Sequence, residues 1–344
     1  MVVELDGRLA CPVDHRPLTH AAGAWLECAG GHRFPVVDGV PVLLRDDVAG
    51  TIGIEAQSLR RARGESAGDP RAPELYLESL GLSEAEREEI VQLWRSKHNE
   101  IDPVVQFLAA ATCGIAYKSV LGRLERYPIP DIPLAPSDGA LLIDIGCNWG
   151  RWSMAAAKKG YRVIGLDPQL GALMAARRVS RQLGQDILFV CADARYLPIA
   201  TGTIDVAFSY SVLQHFSRED CTAAVREVGR VLKSGGVSKI QMANALGVRS
   251  AYHLVRRRFR ETREFEVRYY MPGELLTLFE GNLGRSRLLA DCFLGLGLQA
   301  TDEDLVTSLG RVALKISEAA KRVSAVFPPF GRLADSVYLE SIKA

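Results

Sequence analysis

From residue 139 onward, short apolar runs alternate with amphipathic stretches. ALLIDIG reads as a short buried strand, RWSMAAAKKG as a helix and YRVIGLD as a strand. LGALMAARRVSRQLG follows as a helix, DILFVCAD and TIDVAFSY as strands, REDCTAAVREVGRVLK as a helix and GVSKIQMA as a strand. Strands alternating with helices in this way predict an α/β fold built on a parallel, doubly wound sheet. At the far end, SVYLESIKA alternates apolar and polar positions, as a final antiparallel strand should.

The first part of the chain reads differently. Residues 1–46 are short apolar runs broken by Gly, Pro, Asp and His, which predict small β hairpins around a knuckle. Residues 50–72 are polar and rich in Arg, Gly and Ala, and read as a linker or loop. Residues 74–124 read as helical. Ser83 and Glu86 have capping-box spacing, and Asp102-Pro103 places a cap before a first-turn proline. YPIPDIPLAP, with four prolines in ten residues, predicts an extended connection.

Composition narrows the partners. A net charge of +1 over 344 residues excludes a broadly basic nucleic-acid binder. The seven Cys are odd in number and scattered, so a disulfide framework is not expected and a reducing cytoplasm is. The start lacks a basic region followed by a long apolar stretch, and no apolar run reaches the roughly 20 residues that span a bilayer.

The chemistry concentrates at the ends of the predicted strands. In LLIDIGCNWGRW a strand ends at Asp144, turns through Gly146, Asn148 and Gly150, and enters a helix. Small residues let backbone approach a ligand, and the helix N-terminus offers free N–H groups. The second strand ends in Asp167, placed to accept hydrogen bonds from ribose hydroxyls, and the third in Asp193. Asn148 stands in the middle of this turn, between the two glycines. Asn is among the residues most tolerant of positive φ, so the turn survives.

Together DIGCNWG, GLDP, CADARYLP, IDVAFSYSVLQHF and VGRVLKSGG resemble the class I S-adenosylmethionine-dependent methyltransferases over roughly residues 139–244. NAD(P), the rival ligand for such a turn, would call for G-x-G-x-x-G spacing, which is lacking. The resemblance implies a doubly wound, seven-stranded Rossmann-like sheet with a small β N-terminal module and a helical cap. It implies S-adenosylmethionine as cofactor, with Asp144 and Gly146 facing the methionine amino group. Cys147, Asn148, Trp149 and Gly150 would line the methionine and ribose. Asp167 would hold the ribose, Pro168 the adenine face, Asp193 and Ala194 the adenine edge, and Ser209 would sit beneath the sulfonium. Tyr117, in the helical segment before the first strand, would touch the methionine end.

The acceptor is expected beyond the fourth strand, lined by Tyr210 and Gln214. His215 is the candidate general base for a hydroxyl proton, since an unperturbed imidazole pKa of about 6.5 suits that task. Residues 249–268 hold seven Arg against three Glu. Either this is a solvated face, or Arg256 and Arg257 recognise an anionic group on the acceptor. The expected acceptor is a small molecule or glycan precursor methylated on oxygen. An RNA base methyltransferase and a catalytically silent adaptor are the alternatives. Residues 304–333 add an amphipathic helix, read as a lid or dimer face.

Cys11-Pro-Val-Asp14 and Cys28-x-x-x-His32 resemble the zinc-ribbon-like module of several methyltransferases, and also the Cys/His finger of bacterial rRNA guanine methyltransferases. Cys11, Asp14, Cys28 and His32 are the candidate zinc ligands. Asp14 stands where a second Cys is usual, and a hard carboxylate weakens a zinc site. A metal-free relic held by its apolar core is the other reading. The expected organisation is a module over 1–46, a linker and helical cap over 47–138, and a methyltransferase domain over 139–344. Acceptor-site insertions are expected at about 247–271 and 300–334.

Overall fold

The structure, a computed structural model, describes residues 7–51, 53–96, 100–112, 121–260, 262, 266–297 and 299–344. Tyr117 lies outside the described residues. The N-terminal module is a four-stranded antiparallel sheet: β1 (Leu18–Ala21), β2 (Trp25–Cys28), β3 (Arg33–Val37) and β4 (Val40–Pro41). Three helices follow: α1 (Glu55–Ala62), α2 (Glu84–Ser96) and α3 (Pro103–Thr112). The expected caps form. Glu86 Oε2 accepts the Ser83 N–H at 2.9 Å, and Asp102 Oδ1 accepts the N–H of Val104 at 3.0 Å.

The alternating half of the chain forms β5 (Leu141–Ile145), α4 (Arg151–Lys158), β6 (Arg162–Asp167), α5 (Leu170–Gln182), β7 (Ile187–Cys191), β8 (Ile204–Ser209), α6 (Arg218–Val231) and β9 (Leu232–Ala243). After it come α7 (Val248–Arg256), α8 (Pro272–Asn282), β10 (Ser286–Cys292), α9 (Ser308–Val326), α10 (Pro328–Gly331) and β11 (Ser336–Ile342). One seven-stranded sheet runs β10-β11-β9-β8-β5-β6-β7. β5 pairs parallel with both β6 and β8, and β11 inserts antiparallel between β9 and β10, as its alternation anticipated.

Period-two alternation gives each sheet face its own apolar layer. On β5, Leu142 faces a layer with Trp152, Leu173 and Val179 of α4 and α5, while Leu141, Ile143 and Ile145 face Val225 and Val228 of α6. The chain steps from β5 to β6 and β7 on one side, then returns to β8 on the other. Ligands of such sheets bind at the carboxyl ends of the strands beside that reversal.

Residues 50–72, read as a linker, contain α1, and it packs on the catalytic fold. Ser58 Oγ donates to the Pro168 carbonyl at 2.8 Å and accepts the Leu170 N–H at 3.0 Å. Among the described residues, no helix is long and apolar enough to cross a membrane.

Candidate active site

The turn after β5 is held open by three residues of positive φ: Gly146 (72°), Asn148 (50°) and Gly150 (82°). Gly146 and Cys147 both donate to the Leu166 carbonyl, at 2.7 and 2.9 Å, which locks the turn against β6. A Cβ on Gly146 would lie 2.3 Å from Val212 Cγ2, so this position has no room for a side chain. Gly150 caps α4 without a side chain, leaving that helix's first N–H groups facing the turn.

Below the turn, two buried acids lie at the ends of β5 and β6. Asp167 accepts the N–H groups of Asn148 and Gln169, both at 2.9 Å. Burial pushes its carboxyl up to about 6 against those two donors. Asp144 accepts Ser153 Oγ at 2.6 Å, and burial, with a smaller contribution from the nearby Asp167 charge, pushes it up to about 7.

The turn opens onto a cavity of about 530 Å³. Its floor is Gly146, Cys147, Asn148, Trp149, Asp167, Pro168 and Gln169. Its roof is apolar: Ile54 before α1, Leu80 and Leu82 before α2, and Phe107 and Leu108 of α3. Gln169 Nε2 donates to the Leu80 carbonyl at 2.9 Å and ties roof to floor. Asn148 Oδ1 is buried with no partner among the described residues, a free acceptor in the cavity wall.

The far end is formed by Trp152, Tyr210, Ser211, Val212, His215, Leu296 and Gly297. Tyr210 Oη donates to Asp291 Oδ2 at 2.8 Å and accepts Gln299 Nε2 at 2.6 Å. Burial and then Asp291 push the Tyr210 hydroxyl well above its ordinary range, so it works as a donor rather than a base. The buried Arg151–Asp302 pair, at 2.6 Å, fastens residues 300–305 beside this end. Arg268 Nη1 donates to the His215 carbonyl at 2.5 Å, which fixes the segment after α7 against the same wall.

Several expected site residues lie elsewhere. Asp193 and Ala194 do not reach the cavity. The Asp193 carboxylate is forked by Arg195 (Nη2–Oδ2 2.6 Å), whose guanidinium also holds Asp220. Asp144 and Gly150 sit behind the floor. Ser209 is fully buried, with Oγ donating to the Ile145 carbonyl at 2.9 Å. Gln214 is packed beneath Ser211, donating to its Oγ at 2.9 Å. Arg256 and Arg257 border a separate basin, of which Leu296 is the wall shared with the cavity. The roof, Arg151 and Gln169 were not singled out from the sequence.

In the N-terminal module, Cys11 Sγ and Cys28 Sγ each lie 3.4 Å from His32 Nδ1, and Asp14 Oδ2 lies 3.4 Å from it and 3.6 Å from Cys28 Sγ. Ligand atoms at the edges of a tetrahedral zinc site are about 3.3–3.8 Å apart, given zinc–ligand bonds of about 2.0–2.3 Å. A Cβ on Gly30 would lie 2.2 Å from Asp14 Oδ2, so glycine keeps this cradle open.

Residues 142–236 match the family described as methyltransferase domain. The chain is 37% identical to a biotin biosynthesis bifunctional protein of Cellvibrio japonicus, over 37% of this chain and 24% of that one. It is 28% identical to a ubiquinone biosynthesis O-methyltransferase of a Ruegeria species, over 49% of this chain and 69% of that one. The chain thus spans about a quarter of the first relative and about two thirds of the second. Among solved structures, an S-adenosylmethionine-dependent methyltransferase of Methanosarcina mazei is 23% identical with a TM-score of 0.38, covering 45% of this chain and 85% of that one.

Proposed function

Because residues 142–236 form a methyltransferase domain of the class I, S-adenosylmethionine-dependent kind, we propose that the chain methylates a hydroxyl oxygen of a small molecule or glycan precursor. The observation that carries this is the open turn at Gly146–Gly150 lying beside Asp167 on the cavity floor. S-adenosylmethionine supplies an electrophilic methyl group on a sulfonium. Asp167 would accept its ribose hydroxyls, Asn148 Oδ1 would take a further donor, and Pro168 and the Ile54–Leu80 roof would cover the adenine. Trp149 and Cys147 would line the chain toward the methionine end.

At the far end, Tyr210 and Trp152 shape a water-poor space in which an acceptor hydroxyl is held in line. His215 takes the proton that the hydroxyl loses and passes it to solvent. The similarity to the Ruegeria O-methyltransferase supports oxygen as the receiving atom.

Titration calorimetry with S-adenosylhomocysteine is the direct test. Asp167→Ala weakens binding at least about tenfold, the loss expected when a carboxylate stops accepting ligand hydrogen bonds. Unchanged affinity in a folded variant would overturn the assignment. His215→Asn leaves that affinity intact and flattens the acid limb of kcat against pH. An unaltered limb removes the base role.

The zinc-ribbon-like module is proposed to hold a structural zinc through Cys11, Asp14, Cys28 and His32, supported by the tetrahedral spacing above. Elemental analysis of protein purified without chelator should give close to one equivalent. Below about a tenth of an equivalent, the module is metal-free and stands on its apolar core.

A further inference from the structure

Beside the acceptor end of the cavity lies a basin of about 760 Å³, walled by α7 on one side and residues 266–269 on the other. Arg249, Ser250, His253 and Arg256 recur on α7, with Arg257 just past its end, at intervals that place them on one face. Among the described residues, the acid lining the basin is Glu266, which is taken up by Arg260, Nη1 to Oε2 at 2.8 Å. Asp335, buried nearby, accepts the N–H groups of Ser250 and Leu294 at 2.8 and 2.7 Å. The ion pairs among the described residues leave Arg249, Arg256 and Arg257 without a carboxylate.

Two buried donors in the same wall are unsatisfied. Ser250 is 1% exposed, and neither its Oγ nor Arg257 Nε has a partner among the described residues. Orphaned buried donors are rare in folded proteins and call for an acceptor. Arg257 is held in place by its Nη1 bond to the Val267 carbonyl at 3.0 Å and by its stacking over Tyr269 at 5.1 Å. Burial, and then the charges of Arg249 and Arg256, hold the His253 imidazole below its ordinary range. It therefore enters as a neutral hydrogen-bonding group, and the positive charge is the arginines'.

We propose that this basin seats a phosphate or diphosphate group of the acceptor, with Arg249, Arg256 and Arg257 as charge partners and Ser250 as an added donor. The proposal rests on the methyltransferase reading and names the substrate class of that site. Leu296 lines both the basin and the cavity, so one acceptor reaches both: its hydroxyl lies by Tyr210 and His215, its phosphoryl group on α7. Three arginines and hydroxyl donors match a multiply charged phosphoryl group better than a single carboxylate. The phosphoryl group could belong to a soluble sugar or nucleotide, or to a lipid carrier.

The test uses the full chain saturated with S-adenosylhomocysteine and titrates inorganic pyrophosphate by calorimetry. Saturable binding is expected, weakened at least about tenfold in Arg249→Ala/Arg256→Ala and in Arg257→Ala. The control Arg218→Ala, an exposed arginine paired with Glu274, should leave it unchanged. S-adenosylhomocysteine affinity should be the same in all four proteins. If the homologue binds but pyrophosphate does not saturate at millimolar concentrations, or if all variants weaken alike, the basin proposal is overturned alone. If the homologue fails to bind, the methyltransferase reading falls, and this proposal with it. Flotation with vesicles containing phosphatidic acid separates the two sources. Arginine-dependent retention assigns a lipid phosphate, and pyrophosphate binding without retention assigns a soluble one.

Discussion

Asp144 is a carboxyl sealed under a turn, with Ser153 Oγ as its hydrogen-bonding partner. Burial raises it from 3.8 in the open chain to about 7 in the fold. The sign of the linkage follows. Well below pH 3.8 both states are protonated and the group is neutral in its effect. As pH rises toward 7 the unfolded chain ionises first, so the native state loses relative stability, and above 7 the loss is complete. Asp144→Asn keeps an acceptor for Ser153 and removes the titration. In unfolding experiments without ligand, the wild type should therefore lose ground against Asp144→Asn between pH 5 and 8, by on the order of 2 kcal/mol. A difference that stays flat over that interval would show that Asp144 is ionised throughout. The turn above it was legible residue by residue, because φ at Gly146, Asn148 and Gly150 is a local property of those residue types. Asp193 was not. It lies two residues past the end of β7, and its partner Arg195, two residues on, was not foreseen.

At the scale of elements, the least legible part is the roof. The residues that α1 buries are Glu55 and Ser58, both polar, so a hydropathy reading finds no buried face and calls the segment a linker. α1 is held down by hydrogen bonding to the Pro168–Leu170 turn, a contact 110 residues away in sequence for Ser58 and Pro168, together with half-buried Leu59 and Ala62 against the core. The roof also depends on a glycine. A Cβ on Gly171, in the first turn of α5, would lie 2.6 Å from the Tyr76 carbonyl and 2.8 Å from Leu80 Cγ. Gly171→Val should therefore lift the 76–80 segment and break the Gln169–Leu80 bond, while the sheet stays folded. The expected result is an unchanged circular dichroism spectrum, faster proteolysis within 50–82, and S-adenosylhomocysteine binding weakened about tenfold, equivalent to roughly 1.4 kcal/mol. Normal affinity with the same spectrum would mean that the roof adapts and is not needed to hold the cofactor.

At the scale of the molecule, the N-terminal module completes the large sheet. β7 is its edge strand, and an open edge invites pairing with another chain. Val42 bridges to Cys191 and the Leu43 N–H donates to the Cys191 carbonyl at 2.8 Å, so the segment after β4 extends the sheet at that edge. Leu9 bridges to Ile199, and the Ala10 N–H bonds the Pro198 carbonyl at 2.9 Å. Leu9, Leu26, Phe34 and Leu43 join the same apolar layer as Ile164, Val190 and Leu197. Four such side chains, each stabilising by roughly 1.5–3 kcal/mol when buried, make the module part of the fold whether or not it holds zinc. The two contributions can be told apart. Stripping metal from the full chain with a chelator should lower the melting temperature only as far as any bound metal stabilised the module. A chain lacking residues 1–46 should expose the β7 edge and that apolar layer together, and aggregate when expressed. If the shortened chain instead stays monomeric and melts within a few degrees of the full one, the edge is protected by something else and the module is an appendage.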